Sequence, residues 1–193
     1  MKYFKWILFS FCLILFSFLA YFVTQGKTVL FDDNIHSFVT SFANDYLTFF
    51  VRFITFFGSA SFGILFVIIM FCFKPYYGKL MFFNFTGIFL LSFILKYIFM
   101  RDRPSYMTIN EVSFSFPSFH AMFSLAIYGF IIYLIWKSNF KYRKLICLFL
   151  ISLILTIGLS RIYLGVHYAT DILGGYLISL AYLILFTSFL KSK

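Results

Sequence analysis

Six uncharged apolar runs alternate with polar segments along the chain: Trp6 to Val23, Phe53 to Phe73, Leu80 to Leu95, Ala121 to Trp136, Leu145 to Ser160 and Ile172 to Leu190. Crossing a bilayer as a helix takes about 20 residues, so each run predicts one transmembrane helix. The three runs of 16 residues, from Leu80, Ala121 and Leu145, are short. Their helices are expected to continue into the polar residues at their ends. Between the first two runs, Ile35, Phe38, Val39, Phe42, Tyr46, Phe49 and Phe50 recur at three- and four-residue steps among His36, Thr40, Ser41, Asn44 and Asp45. That period predicts one amphipathic helix lying along the interface, its start capped by Asp32, Asp33 or Asn34. The expected fold is therefore all-α: an integral membrane bundle of six transmembrane helices, with an interfacial amphipathic helix between spans one and two. Residues 1–193 read as a single domain, with no linker or internal repeat.

Composition agrees with the pattern. The 193 residues are 63% hydrophobic, 25% aromatic and only 11% charged, too few charges to cover a water-soluble surface. The first run follows Met1-Lys2-Tyr3-Phe4-Lys5 as a secretory signal does. At 18 apolar residues with no A-x-A-like site before Thr24, it is expected to be an uncleaved span. Cys12, Cys72 and Cys147 are odd in number and all lie inside apolar runs, which implies neither a disulfide nor a zinc site.

Charge supplies the orientation. With the N-terminus inside, the inner segments hold Lys2, Lys5, Lys74, Lys79, Lys137, Lys141, Arg143, Lys144, Lys191 and Lys193 and no acid. The outer segments hold six cations and all six acids, so the formal net charge of +10 falls on one side. By the positive-inside tendency that side is cytoplasmic, and both termini are expected there in a multi-pass protein of the cytoplasmic membrane. The basicity then marks topology and anionic lipid, and no nucleic-acid partner is expected.

All three histidines fall on the outer side, close to ionisable residues at the ends of spans, where such groups are costly and usually functional. Lys96 closes span three, and Arg101, Arg103 and Pro104 follow it. Pro117, Ser118, Phe119 and His120 open span four, Ser160 and Arg161 close span five, and His167 and Asp171 open span six. His167 and Asp171 are four apart, which on a helix places both on one face. The carboxylate then fixes the imidazole tautomer and leaves the other nitrogen free as nucleophile or base. Lys96, Arg103 and Arg161, with few local acids and the Ser118 hydroxyl, form a site for a multiply charged anion such as phosphate. His120, following a proline that starts a helix and leaves free amides nearby, suits a general acid.

These three ordered motifs, Lys96-x6-Arg103-Pro104, Pro117-Ser118-Phe119-His120 and Ser160-Arg161-x5-His167-x3-Asp171, resemble those of the type-2 phosphatidic acid phosphatase superfamily. The motif core spans residues 96 to 171. The resemblance implies a lipid phosphate phosphatase in which His167 forms a phosphohistidine and Asp171 orients it. It further implies that Lys96, Arg103, Ser118 and Arg161 bind phosphate, that His120 protonates the leaving group, and that neither a metal nor another cofactor is needed. The family usually has glycine where this chain has Phe119. Two outcomes are open: the Phe119 amide still donates to phosphate if its backbone stays in a common region, or its ring instead lines a lipid groove. With an outward-facing site, undecaprenyl pyrophosphate is the expected substrate, ahead of phosphatidylglycerophosphate and phosphatidic acid. The competing reading is a transporter or lipid-binding protein that only holds the anion. It predicts repeats and helices broken at mid-membrane, and the sequence shows neither.

Overall fold

In the computed structural model, which describes residues 2–109 and 111–190, the chain forms eight helices among the described residues: α1 (Lys2–Thr24), α2 (Val29–Thr40), α3 (Asp45–Phe56), α4 (Ala60–Phe73), α5 (Pro75–Phe99), α6 (Phe119–Lys137), α7 (Arg143–Tyr163) and α8 (Ala169–Ser188). Five of them, α1, α5, α6, α7 and α8, are long and apolar enough to cross a membrane. The short runs do extend into their polar flanks: the helix around Leu80 to Leu95 has 25 residues and takes in Lys96, and those around Ala121 and Leu145 have 19 and 21.

The second predicted span differs. Its residues are divided between α3 and α4, which pass the test for a span only as a pair and are bent by 49°. The break runs through Phe57-Gly58-Ser59, and Ser59 caps the new helix by accepting the Phe62 amide at 3.2 Å. The amphipathic segment is likewise two helices where one was expected. Thr40 and Ser41 turn their hydroxyls back onto the carbonyls of His36 and Phe38, and Asn44 caps α3 by accepting from the Leu47 amide at 2.9 Å. Asp32 caps nothing. It lies inside α2, fully buried, and Thr28 holds the cap position without a side-chain bond.

The bundle is built around α6, which packs on α5, α7 and α8; α1 lies along α8, α4 pairs with α5, α3 rests on α7, and α2 touches α7 and α8. Phe16, Ile88, Phe116, Met122, Ala126 and Ile178 form one buried cluster between α1, α5, α6 and α8. Side chains without charge tie the helices at depth. Asn84 donates to the Ala126 carbonyl at 2.9 Å, Ser179 to that of Met122 at 2.6 Å, and Tyr176 to that of Ile154 at 2.6 Å. Such bonds contribute about 1 kcal/mol each where no water competes. Gly175 permits a close approach: a Cβ there would lie 3.0 Å from both the Ser118 carbonyl oxygen and the Ala121 methyl, so the start of α6 packs directly on α8. The outward faces stay apolar, as on α1 with Ile7, Phe11, Ile14 and Phe18 exposed.

Candidate active site

Three connections at one end of the bundle carry the candidate chemistry. Met100, in the left-handed region at φ 43°, stops α5 one turn after Lys96 and releases the chain into the segment that bears Arg101 and Arg103. Ser118, extended, precedes α6, placing Phe119 and His120 in its first turn. Arg161 lies in the last turn of α7, Gly165 turns the chain with φ +67°, and Asp171 lies in the first turn of α8. A side chain at Gly165 would also meet the Tyr106 carbonyl oxygen at 2.6 Å, so both conformation and space require glycine there. A cavity of about 300 Å³ opens between these ends, lined by Lys96, Arg103, Phe119, His120 and His167, with Glu111 at its edge. Arg161, Ser118 and Asp171 are buried around it.

His167 is only 2% exposed, and its Nδ1 lies 3.1 Å from Asp171 Oδ2. The two do not share a helical face as the spacing suggested, because α8 begins after His167, at Ala169. The turn brings them together instead. The amides of Val166 and His167 both donate to the Arg161 carbonyl, and Asp171 Oδ2 also accepts the Tyr168 amide at 3.0 Å, so one carboxylate oxygen caps α8 and holds the imidazole. Arg103 Nη1 lies 3.3 Å from His167 Nε2. Since a guanidinium only donates, Nε2 is the acceptor and the proton sits on Nδ1, facing Asp171. Burial first, and then the cations of Lys96, Arg103 and Arg161, hold the imidazole pKa well below the ordinary histidine value. His167 is therefore neutral at pH 7, with the lone pair of Nε2 turned to the cavity.

The cations are less free than the sequence suggested. Glu111 accepts from Arg161 Nη2 at 2.6 Å, and its other oxygen lies 3.7 Å from Arg103 Nη2. Arg103 is further held by the Ser113 and Val166 carbonyls at 2.6 and 2.8 Å, and Lys96 Nζ donates to the Phe114 carbonyl. Arg161 Nη1 reaches Thr55 Oγ1 at 3.0 Å, a contact made by the bent α3 to α4 pair. Burial lowers the Arg103 pKa, and the nearby Glu111 and Asp171 carboxylates offset part of that shift.

One expectation at the second motif needs revision. The Ser118 amide donates to the Asp171 carbonyl at 3.1 Å and so is not free for an anion, while the Ser118 hydroxyl is buried without a partner. Phe119 does not need the freedom of glycine: it is the first residue of α6, and among the described non-glycine residues only Met100 has positive φ. Its ring packs edge-on to Phe89 at 5.7 Å and tilted against Phe123 at 5.8 Å, forming an apolar wall of the cavity next to His120.

Sequence reasoning grouped Arg101 with the motif residues but gave it no role, and it did not place Asp32 at the site. Arg101 Nη1 donates to Asp171 Oδ1 at 2.6 Å and to Thr170 Oγ1 at 2.8 Å, and its Nη2 donates to Asp32 Oδ2 at 2.8 Å. The guanidinium lies 3.9 Å over the Tyr168 ring. Asp32, on α2, also accepts the Thr170 amide and hydroxyl, both at 2.8 Å. The available signals were an acid inside an otherwise apolar helix turn and an arginine two positions before Arg103.

A sequence model described as the PAP2 superfamily matches residues 76–193. The chain is 35% identical over 136 residues to phosphatidylglycerophosphatase B of Bacillus subtilis (strain 168), covering 66% of this chain and 67% of that protein. Among solved structures it resembles the first transmembrane PAP2 type phosphatidylglycerolphosphate phosphatase from Bacillus subtilis, with a TM-score of 0.84, 31% identity and coverage of 97% and 96% of the two chains. The Aquifex aeolicus LpxE structure shares the fold, with a TM-score of 0.70 at 21% identity over 82% of this chain and 96% of that one. The extent of these matches, over a chain whose three motifs meet at one cavity, shows that it belongs to the PAP2 superfamily and is a membrane lipid phosphatase of that type.

Proposed function

We propose that the enzyme hydrolyses the phosphate of a lipid phosphate by two displacements on phosphorus, with His167 as nucleophile. The observation that carries this is the position of His167 Nε2, turned into a cavity where Lys96 and Arg103 stand and Arg161 lies just behind, with Nδ1 held by Asp171. The three cations bind the non-bridging oxygens and stabilise the charge they carry during transfer, replacing the bonds they now make to Glu111 and to carbonyls, and Arg103 releases His167 Nε2 as it turns to phosphate. The buried Ser118 hydroxyl and the Phe119 amide complete the cradle as donors. Attack of Nε2 on phosphorus, opposite the ester oxygen, breaks the P–O bond. His120 gives that oxygen its proton, and the lipid leaves as an alcohol from a phosphate monoester or as the lipid monophosphate from a pyrophosphate. Asp171 holds the positive charge that develops on the imidazole ring. Water, relieved of a proton by His120, then displaces the histidine and releases inorganic phosphate.

The apolar wall of Phe89, Phe93 and Phe119 gives the lipid chain a path out of the cavity toward the bilayer. Phosphatidylglycerophosphate is the first substrate to test, because the Bacillus subtilis relatives named for it are similar along the chain. Undecaprenyl pyrophosphate is the second, because the charge asymmetry supports a site on the outer face of the cytoplasmic membrane. Phosphatidic acid is the third.

The purified protein should release phosphate from at least one of these without added metal. His167→Ala should reduce the rate to background, and a rapid quench should trap phosphate on His167. Full activity in His167→Ala would remove it as nucleophile, and binding without turnover across all three lipids would favour the transporter reading.

A further inference from the structure

Behind the His167–Asp171 pair stands a second charge array, with Arg101 13% exposed at its centre. Arg101 sits between two carboxylates, each 0% exposed: Asp171, reached by Nη1 at 2.6 Å, and Asp32, reached by Nη2 at 2.8 Å. Asp32 comes from α2, a helix that contributes no residue to the cavity, and its other bonds go to Thr170, next to Asp171.

Taken alone, Arg101 is a full counter-charge 2.6 Å from the carboxylate that must support the imidazole. A cation this close draws charge from Asp171 and weakens it as an acceptor for His167 Nδ1. A second buried carboxylate on the same guanidinium divides that cation between two anions and leaves the three-residue array with a net charge of −1. We propose that Asp32 and Arg101 are positioning residues of the reaction: Arg101 fixes the Asp171 carboxylate, while Asp32 offsets its charge so that Asp171 retains the strength to orient His167 and stabilise it as it becomes cationic. This assignment rests on His167 being the nucleophile. It makes α2 part of the catalytic apparatus through charge as well as packing.

The groups acting on His167 come from every element around it: Lys96 of α5, Arg103 and Glu111 of the connecting segment, His120 of α6, Arg161 of α7 and Asp171 of α8, with Arg101 and Asp32 behind. Loss of the Asp32 charge adds one net positive charge to this set. It lowers the proton affinity of His167 further, so the acid limb of the pH–rate profile moves to lower pH.

The test uses the full chain in detergent, with dioctanoyl phosphatidate as the lipid phosphate. Asp32→Asn keeps the shape and removes the charge. We expect kcat to fall on the order of tenfold, as for other partners behind a reacting group. KM should change by less than about twofold, and the acid limb of kcat/KM should move down by roughly half a pH unit. Thr170→Val removes hydrogen bonds to Asp32 and Arg101 without changing charge; it should lower the melting temperature and leave the acid limb in place. An Asp32→Asn enzyme with an unmoved acid limb and a kcat loss no greater than that of Thr170→Val overturns the proposal and leaves Asp32 a structural residue. If Asp32→Asn does not fold, Arg101→Lys serves. It keeps the cation but cannot fork between the carboxylates, so kcat should fall at unchanged KM with the acid limb in place, and full kcat overturns the assignment. His167→Ala, run in parallel, separates failure here from failure of the nucleophile: activity in that variant refutes the latter alone.

Discussion

The Glu111 carboxylate shows how the anion site is arranged before substrate arrives. It is 31% exposed and makes the 2.6 Å contact to Arg161 that a phosphate oxygen makes in the proposed mechanism. Two buried guanidinium groups without a counter-anion would be costly, and Glu111 reduces that cost. The same carboxylate then competes with phosphate. Glu111→Gln keeps the side-chain length and loses the charge, so product inhibition by inorganic phosphate should strengthen roughly three- to tenfold, the value of about 1 kcal/mol of competing interaction. The inhibition constant for phosphate measures this directly. A weaker inhibition would mean that Glu111 holds Arg161 in its binding geometry and does not compete. The sequence shows Glu111 only as one of six acids on the outer side; its partner Arg161 is 50 positions away, and no local pattern joins them.

At the scale of the elements, the site is a set of helix ends whose mutual approach depends on small residues and breaks. The bend between α3 and α4 is the clearest case. A Cβ on Gly58 would lie 2.5 Å from Ile157 Cγ2 and 3.1 Å from His120 Cδ2, so the absence of a side chain lets the bend rest on both α7 and the proposed acid. Gly58→Ala should destabilise the fold by about 1–3 kcal/mol, the usual cost of overpacking. It should also lower kcat by about tenfold, because displacing His120 by a fraction of an ångström misaligns the proton transfer. A thermal melt and a kcat measurement read the two effects separately, and unchanged kcat would mean that Ile157 alone gives way. The sequence contained the signals for both breaks in this region, Thr40-Ser41 with Asn44, and Gly58-Ser59. Apolar periodicity continuing across them reads as unbroken helix, since period reports a face and not a direction.

For the whole molecule, the charge asymmetry and the site lie at opposite ends of one bundle. The basic residues Lys74, Lys79, Lys137, Lys141, Arg143 and Lys144 flank the two turns farthest from the cavity, between α4 and α5 and between α6 and α7. The positive-inside tendency predicts that those turns stay inside and that the cavity faces outward. The exposed positions Ser105 and Asn139 test this in a background with the three cysteines replaced by alanine. Ser105→Cys should react with a membrane-impermeant maleimide on intact cells and Asn139→Cys should not. The reverse pattern would place the site inside and remove undecaprenyl pyrophosphate from the outer face as a substrate. The same bundle shows which properties were local. Five of the spans, their polar ends and the motif residues from Lys96 to Asp171 are stretches of neighbouring residues, and hydrophobicity, period and spacing act over such stretches, so the sequence determined them. Asp32 meeting Thr170 across 138 positions, Arg101 forked between two carboxylates, Glu111 resting on Arg161, and His167 reaching Asp171 through a turn are different in kind. Each is decided by which helix ends pack together, and that depends on burial and charge neutralisation over the whole bundle, which only the tertiary structure sets.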